Sequence, residues 1–527
     1  MSPLIRFKAV ALAAVLALTS QAALHAQLTP QVTGALPSLG DSAELNAAAE
    51  RRIGQRIAAS IYRDPDYLDD AVLWDYLQSI WQPLMTAARA RGDITPELDE
   101  RFAWELFLIR DRTINAFALP GGYLGVHLGL ISAVSNRDEL AAVLGHELSH
   151  VTQRHISRLI SQQGKTTPWM IGAMILGALA ASKNPQVGSA LITGGQAAAL
   201  QSQLNFSRDM EREADRIGFN VMTEAGFDGR GVGTMFDKLQ QASRFDDNGS
   251  FPYLRSHPLS SERMAAVQAR LQLAATEQTV ASPTDAKVST QSALQALTLH
   301  RMMAARAKVL AEPGVDALRA AVQDAQRVGS SPASQYGGAL AAAKLRDFAL
   351  AQNLIRQLSA VATASRTAEL LQIEVELMAG GVSATAVNLE LRQSSQARQG
   401  GPPNTRLERA ELLLLCRAWL AAGRAQDVAS ALSTWVAMHP NDSNAWQLLA
   451  TAYGNQGQTV RAIRADAEAQ VARLDYPAAL DRLKAAQNLM RNTSSTSDFM
   501  DSSIIDTRTR QVESLVRQQA LQDKLDR

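Results

Sequence analysis

A single cysteine, Cys416, stands among 527 residues, so no disulfide can form within the chain in any compartment. Aromatic residues are scarce at 5%, and neither sign of charge dominates, with 52 lysines and arginines against 51 aspartates and glutamates. A near-neutral chain without a basic block is a poor electrostatic partner for nucleic acid, which argues against that class of ligand. No uninterrupted apolar run reaches the roughly twenty residues that a membrane-spanning helix needs. At this length one core is not expected, and two or more domains are. What the chain has in quantity is alanine and leucine, which favours a mostly helical protein.

The N-terminus carries Arg6 and Lys8, then the apolar run Ala9 to Leu18, then small residues up to Ala22 and Ala26. That order is expected of a cleavable export signal at residues 1–26. Removing it takes away two basic residues and leaves 50 against 51 acidic. The mature protein is therefore expected outside the cytoplasm. Cys416 sits among Leu412 to Leu415 and Trp419, a setting for a buried structural thiol and not for a nucleophile.

With only eight histidines in the chain, the stretch His146-Glu-Leu-Ser-His150 stands out. No proline interrupts its surroundings, and Leu140, Val143, Leu144, Leu148 and Val151 recur at helical spacing. Residues four apart share a helix face, so His146 and His150 can grip one metal ion together, with Glu147 beside them in reach of a water. Catalytic zinc takes three protein ligands and keeps one position open, and this motif supplies two of the three. The helix is expected to start near Ser135 or Asn136.

Downstream, Glu211 and Asp215 are again four apart in Phe206-Ser-Arg-Asp-Met-Glu-Arg-Glu-Ala-Asp-Arg-Ile-Gly218. Glu211 is the candidate third ligand, and Asp215 can accept a hydrogen bond from the second ring nitrogen of a ligand histidine. Glu213 fits a solvated helix face. Ahead of the motif, Tyr67 to Ala90 is expected to be an amphipathic helix and Phe102 to Ile109 a strand region. Residues Ile114 to Leu130 are expected to form two strands around a Pro120-Gly121-Gly122 turn. A substrate peptide is expected to lie as an added strand along Tyr123 to Leu128. His127 is expected to be structural.

After the motif come two apolar segments, Trp169 to Ala181 and Val187 to Leu200, each too short to span a membrane. They can pack over the active site or make peripheral membrane contact, and a buried hairpin is favoured because their faces lack basic residues. His257 lies in Ser256-His-Pro-Leu-Ser-Ser-Glu-Arg263, and three readings stay open for it. It can donate a hydrogen bond in the transition state, occupy the open metal position and keep the enzyme latent, or stand in a turn without a role.

Asn115-Ala-Phe-Ala-Leu-Pro-Gly-Gly122, His146-Glu-Leu-Ser-His150 and Glu211-Arg-Glu-Ala-Asp-Arg-Ile-Gly218, in this order, resemble the M48 family of zinc metallopeptidases. The chain is similar within it to exported, soluble members that follow the peptidase with tetratricopeptide repeats. The resemblance implies one zinc ion per chain held by His146, His150 and Glu211, with Glu147 as general base and Asp215 behind the ligands. It also implies a periplasmic protein acting on outer-membrane protein assembly and its failures.

The second half shows an internal repeat. Leu412, Leu415, Cys416, Trp419 and Gly423 recur thirty-four residues later as Trp446, Leu449, Ala450, Tyr453 and Gly457. Period and pattern match tetratricopeptide repeats. Degenerate helix pairs are read at Ser334 to Leu358 and Ala368 to Arg392, with a loop at Gly400-Gly401-Pro402-Pro403 and a closing helix from Ser502 to Leu525.

The expected architecture is mainly α: an α+β zincin-like metallopeptidase domain with a small β-sheet, then an α-solenoid of helix pairs. Its segments are a signal at 1–26, the peptidase at 27–280, a linker at 281–290, repeats at 291–490 and a tail at 491–527. The expected activity is zinc-dependent hydrolysis of peptide bonds in unfolded or misassembled envelope proteins. The repeats are expected to dock substrate and the barrel assembly machinery. Two other readings stay open: mainly a chaperone or assembly scaffold with a latent peptidase site, or a general quality-control protease.

Overall fold

The computed structural model describes residues 45–162, 207–243, 252–277, 283–389, 408–492 and 499–525. The expected export signal, the apolar segments 169–181 and 187–200, and the glycine-proline loop at 400–403 lie outside the described residues. The described chain is mainly helical with one small sheet.

The sheet has four short strands, Tyr67–Leu68 (β1), Glu105–Ile109 (β2), Ala116–Leu119 (β3) and Tyr123–His127 (β4), in the order β1-β2-β4-β3. β2 and β4 run parallel, and both outer pairs run antiparallel. The expected hairpin is β3–β4, with Leu119 opposite Tyr123. Gly121 and Gly122 turn it with φ of +74° and +86°. A Cβ on Gly121 would fall 2.5 Å from the Cα of Arg51, so helix Ala47–Arg63 closes over this turn only because the side chain is absent.

The helix expected from Tyr67 starts four residues later. Tyr67 and Leu68 pair with Ile109 and Leu108, and the helix runs Ala71–Ala90. Asp70 makes the boundary, because its carboxylate accepts a hydrogen bond from the Leu73 amide at 2.9 Å and caps the first turn.

The helix carrying the histidine motif, Arg137–Thr152, begins as expected after Asn136, whose side chain accepts from the Asp138 and Glu139 amides. All residues from Glu139 to Thr152 are buried. Its apolar positions face the core, and β3, helix Arg208–Glu224 and helix Arg230–Ser243 cover other sides. The crossing with Arg208–Glu224 depends on two glycines. A Cβ on Gly218 would lie 2.9 Å from the Gly145 carbonyl carbon and from the His146 nitrogen. Backbone meets backbone there, and that closeness brings Glu211 to the histidines.

Helix pairs follow: Pro332–Lys344 with Phe348–Ser359, Arg409–Ala421 with Ala425–Met438, and Ser443–Asn455 with Thr459–Ala472. Tyr476–Asn492 and the closing helix Phe499–Leu525 end the stack. The recurring Gly423 and Gly457 have φ of +74° and +71° and stand just past a helix end, the left-handed position that glycine fills without strain. Cys416 is fully buried, and burial pushes its thiol up to about 12, which fits a structural role.

Residues 283–290, expected within a linker, are the first turns of one long helix, Pro283–Ala311. Its continuation packs on helix Leu128–Ala133, and His300 reaches both the Tyr76 hydroxyl at 2.6 Å and the Val134 carbonyl at 2.9 Å. One apolar core therefore runs from Leu73 and Trp81 through Met302 and Leu340 to Leu371.

Candidate metal centre

Helical spacing places His146 and His150 on one face, and the glycine crossing sets Glu211 opposite them. The ring nitrogens Nε2 of the two histidines are 3.0 Å apart. Glu211 Oε2 is 3.4 Å from His146 Nε2, and Oε1 is 3.5 Å from His150 Nε2. Ligand bonds of about 2.0–2.2 Å arranged tetrahedrally put donor atoms roughly 3.3–3.5 Å apart, so the three groups fit around a zinc ion. His257 joins them: its ligand atom and those of His146, His150 and Glu211 all lie within 4.8 Å of one another, and all four residues are buried.

The electrostatics suit a cation. Burial would raise the Glu211 carboxyl, but the charge and hydrogen bonds of His257 and His146 hold it well below its ordinary value. Burial likewise opposes charge on His146, yet hydrogen bonds to Asp215 and Glu211 push it up to about 10. His150 is lowered, first by burial and then by the neighbouring imidazoles. Glu147 is fully buried, and burial raises its carboxyl. Its Oε2 accepts a hydrogen bond from the Ala118 amide at 2.9 Å. Its Oε1 has no hydrogen-bond partner among the described residues and lies 3.4 Å from His257 Nε2.

Asp215 stands behind His146, with Oδ1 3.0 Å from Nδ1. A carboxylate only accepts, so that nitrogen carries a proton and Nε2 is the nitrogen turned toward the metal position. Asp215 is itself gripped by Arg263, whose Nε and Nη2 donate at 2.6 and 2.7 Å. Arg263 also reaches Glu211 Oε2 at 2.7 Å and the Pro258 carbonyl at 2.8 Å. It thus ties the His257 loop to the helix of Glu211 and Asp215. Nothing in the local sequence gives this arginine a task. The signal was a positive charge six residues after His257, but only burial between two carboxylates shows its use.

His257 stacks on Tyr253 with centroids 4.6 Å apart and has Nδ1 3.0 Å from Glu211 Oε1, so it belongs to the centre and not to a bare turn. His127 has Nδ1 2.9 Å from the Thr113 hydroxyl, outside the cluster. Glu213 does not lie on a free solvated face: it hydrogen-bonds His155 and Arg158.

The expected peptide path along Tyr123 to Leu128 is wrong. β4 pairs with β2 on one edge and β3 on the other, so it has no edge to offer, and Leu128 already begins a helix. Among the described residues the edge beside the centre that pairs with no strand is that of β3, where the Ala118 amide points at Glu147.

Residues 75–271 match peptidase family M48, and residues 431–464 match a tetratricopeptide repeat. The chain is similar to the beta-barrel assembly-enhancing protease of Escherichia coli (strain K12), 29% identical over 457 residues, covering 84% of this chain and 86% of that one. It is similar to the Yersinia pestis protein of the same description, 28% identical over 436 residues, covering 82% and 83%. The mitochondrial metalloendopeptidase OMA1 of Schizosaccharomyces pombe is 33% identical over 165 residues, covering 31% of this chain and 46% of that protein.

Proposed function

We propose that this chain, a zinc metallopeptidase of family M48 followed by tetratricopeptide repeats, works in the periplasm and cleaves misfolded or misassembled outer-membrane proteins. Its repeats dock substrate and the machinery that assembles barrels. The observation that carries the peptidase reading is the buried trio of His146, His150 and Glu211 with Glu147 beside it. The assembly role rests on likeness along most of both chains to a protease whose name states it. No helix among the described residues is long and apolar enough to cross a membrane.

In this reading His146 and His150 would hold zinc through Nε2, and Glu211 through its carboxylate. Zinc supplies a Lewis acid. Glu147 takes a proton from the attacking water and returns it to the leaving amine. The Ala118 amide holds Oε2, which leaves Oε1 for that proton, and burial keeps the carboxyl basic enough to accept it. Asp215 keeps His146 in the tautomer that can bind. An extended segment of substrate pairs with the free edge of β3. His257, within reach of both Glu147 and Glu211, would join the ligands in a resting enzyme or donate a hydrogen bond to the substrate.

Glu147→Gln tests the reading. It should keep zinc but lower cleavage of an unfolded protein by at least about 100-fold, the scale of a lost general base. Turnover close to the parent rate would overturn the proposal. A second reading, an assembly scaffold with a seldom-used peptidase site, is favoured by how little of the centre meets solvent: His150 and Glu147 are 0% and His257 2% exposed. The same variant separates the two, since a scaffold would still support barrel assembly while failing to degrade.

A further inference from the structure

The two histidines that face the metal position are oriented by different means, and only one of these is a carboxylate. His146 has Asp215 behind it. His150 has another imidazole: its Nδ1 lies 2.8 Å from Nδ1 of His155. Two ring nitrogens can share one proton only if one donates and the other accepts. For His150 to present a lone pair at Nε2, it must carry its proton on Nδ1 and donate it. His155 must then accept through Nδ1, and its own proton must sit on Nε2.

That condition is met by a third residue. His155 Nε2 lies 3.0 Å from Glu213 Oε2, and a carboxylate oxygen can only accept there. Arg158 donates to the same oxygen at 2.9 Å and holds the carboxylate in its charged form. His155 is fully buried, whereas the Glu213 side chain is 30% exposed. The sense of every proton in the line therefore follows from its outer end.

We infer that Glu213 and His155 form a relay that sets the tautomer of His150 and so determines how tightly the centre holds its metal. His155 is a positioning residue, acting through His150, and Glu213 acts through His155 at one further remove. The inference rests on His150 being a ligand, as proposed above.

The test uses the full chain and measures zinc affinity by competition with a chelator, alongside peptide hydrolysis. Glu213→Leu, at a partly exposed site, should weaken zinc about 10-fold or more. Glu213→Gln, whose amide oxygen can still accept from His155, should stay near the parent value. His155→Phe removes the acceptor for His150 and should cost about 10–100-fold, the usual range for groups that support a metal ligand. The double variant His155→Phe with Glu213→Leu should be no worse than His155→Phe alone, because both break one line. Additive losses, or parent affinity in Glu213→Leu, would overturn the relay. His150→Ala separates the two levels. If it keeps zinc, the ligand assignment fails. If it loses zinc while Glu213→Leu does not, the relay alone fails.

Discussion

At the scale of single residues, the centre depends on side chains that are missing as much as on those present. Gly145 and Gly218 let two helices meet at backbone distance, and Glu211 reaches the histidines only because of it. Gly218→Ala would put a Cβ 2.9 Å from main-chain atoms that cannot rotate away. Such overpacking costs about 1–3 kcal/mol. Denaturant unfolding should show that loss, and zinc should bind more weakly because the shifted helix carries Glu211. Parent values in both measurements would mean that the crossing relaxes elsewhere. The histidines and Glu147 were legible in sequence because their spacing is set by one helix. Arg263, His155 and the true surroundings of Glu213 were not, since each gains its meaning from a partner fifty or so residues away.

At the scale of elements, the sheet was read as a hairpin and is one, but the partner order reassigns its edges. A two-residue strand, β1, and a parallel neighbour, β2, enclose β4 from the far side. Nothing in local periodicity says which strand lies outermost. Because β3 does, its Ala118 amide is free to hold Glu147. Ala118→Pro removes that donor on an edge strand, where proline is tolerated. A lost hydrogen bond to a charged group is worth about 1.5–3 kcal/mol, so hydrolysis should fall roughly 10–100-fold with zinc content unchanged. Unaltered hydrolysis would deny the amide its role.

The repeats teach the same lesson in another form. The 34-residue period was visible where glycine fills the left-handed helix end, at Gly423 and Gly457. At the ends of helices Pro332–Lys344 and Thr459–Ala472 the same position is taken by Arg346 and Leu474, with φ of +65° and +60°. The turn geometry persists there, but the residue that would announce it does not.

At the scale of the whole molecule, the peptidase half and the repeats are tied by three aspartates from one short segment. Asp70 pairs with Arg306, which also binds Glu374, and Asp69 pairs with Arg409, which also binds Asp442. Asp75 accepts from the Ala410 amide at 2.7 Å, capping a repeat helix whose own Glu408 makes no side-chain cap. Burial would raise Asp70 and Asp442, but Arg306 and Arg409 respectively hold both below the ordinary carboxylate value. A carboxylate lowered in the folded state contributes stability above its unfolded pKa of about 3.9 and loses it as pH falls through the folded value. Arg306→Met should therefore cost about 3–5 kcal/mol near neutral pH, because it strands buried carboxylates. The difference from the parent should shrink below about pH 4 as those carboxylates take up protons. Thermal unfolding from pH 3 to 8 checks this, and a difference independent of pH would show that the ion pairs are not its source.

Sequence alone singled out the residues proposed to hold zinc and to move a proton, and showed that helical repeats follow. These are consequences of short spacings along one helix or one repeat, and such spacings survive in a string of letters. Tertiary structure alone decided the rest: that Arg263 locks Asp215, that His155 and Glu213 stand behind His150, that β3 and not β4 offers an edge, and that one core spans peptidase and first repeats. Each is a meeting of distant segments. It depends on where glycines let backbones touch and on which buried charges find partners, and no local pattern encodes that.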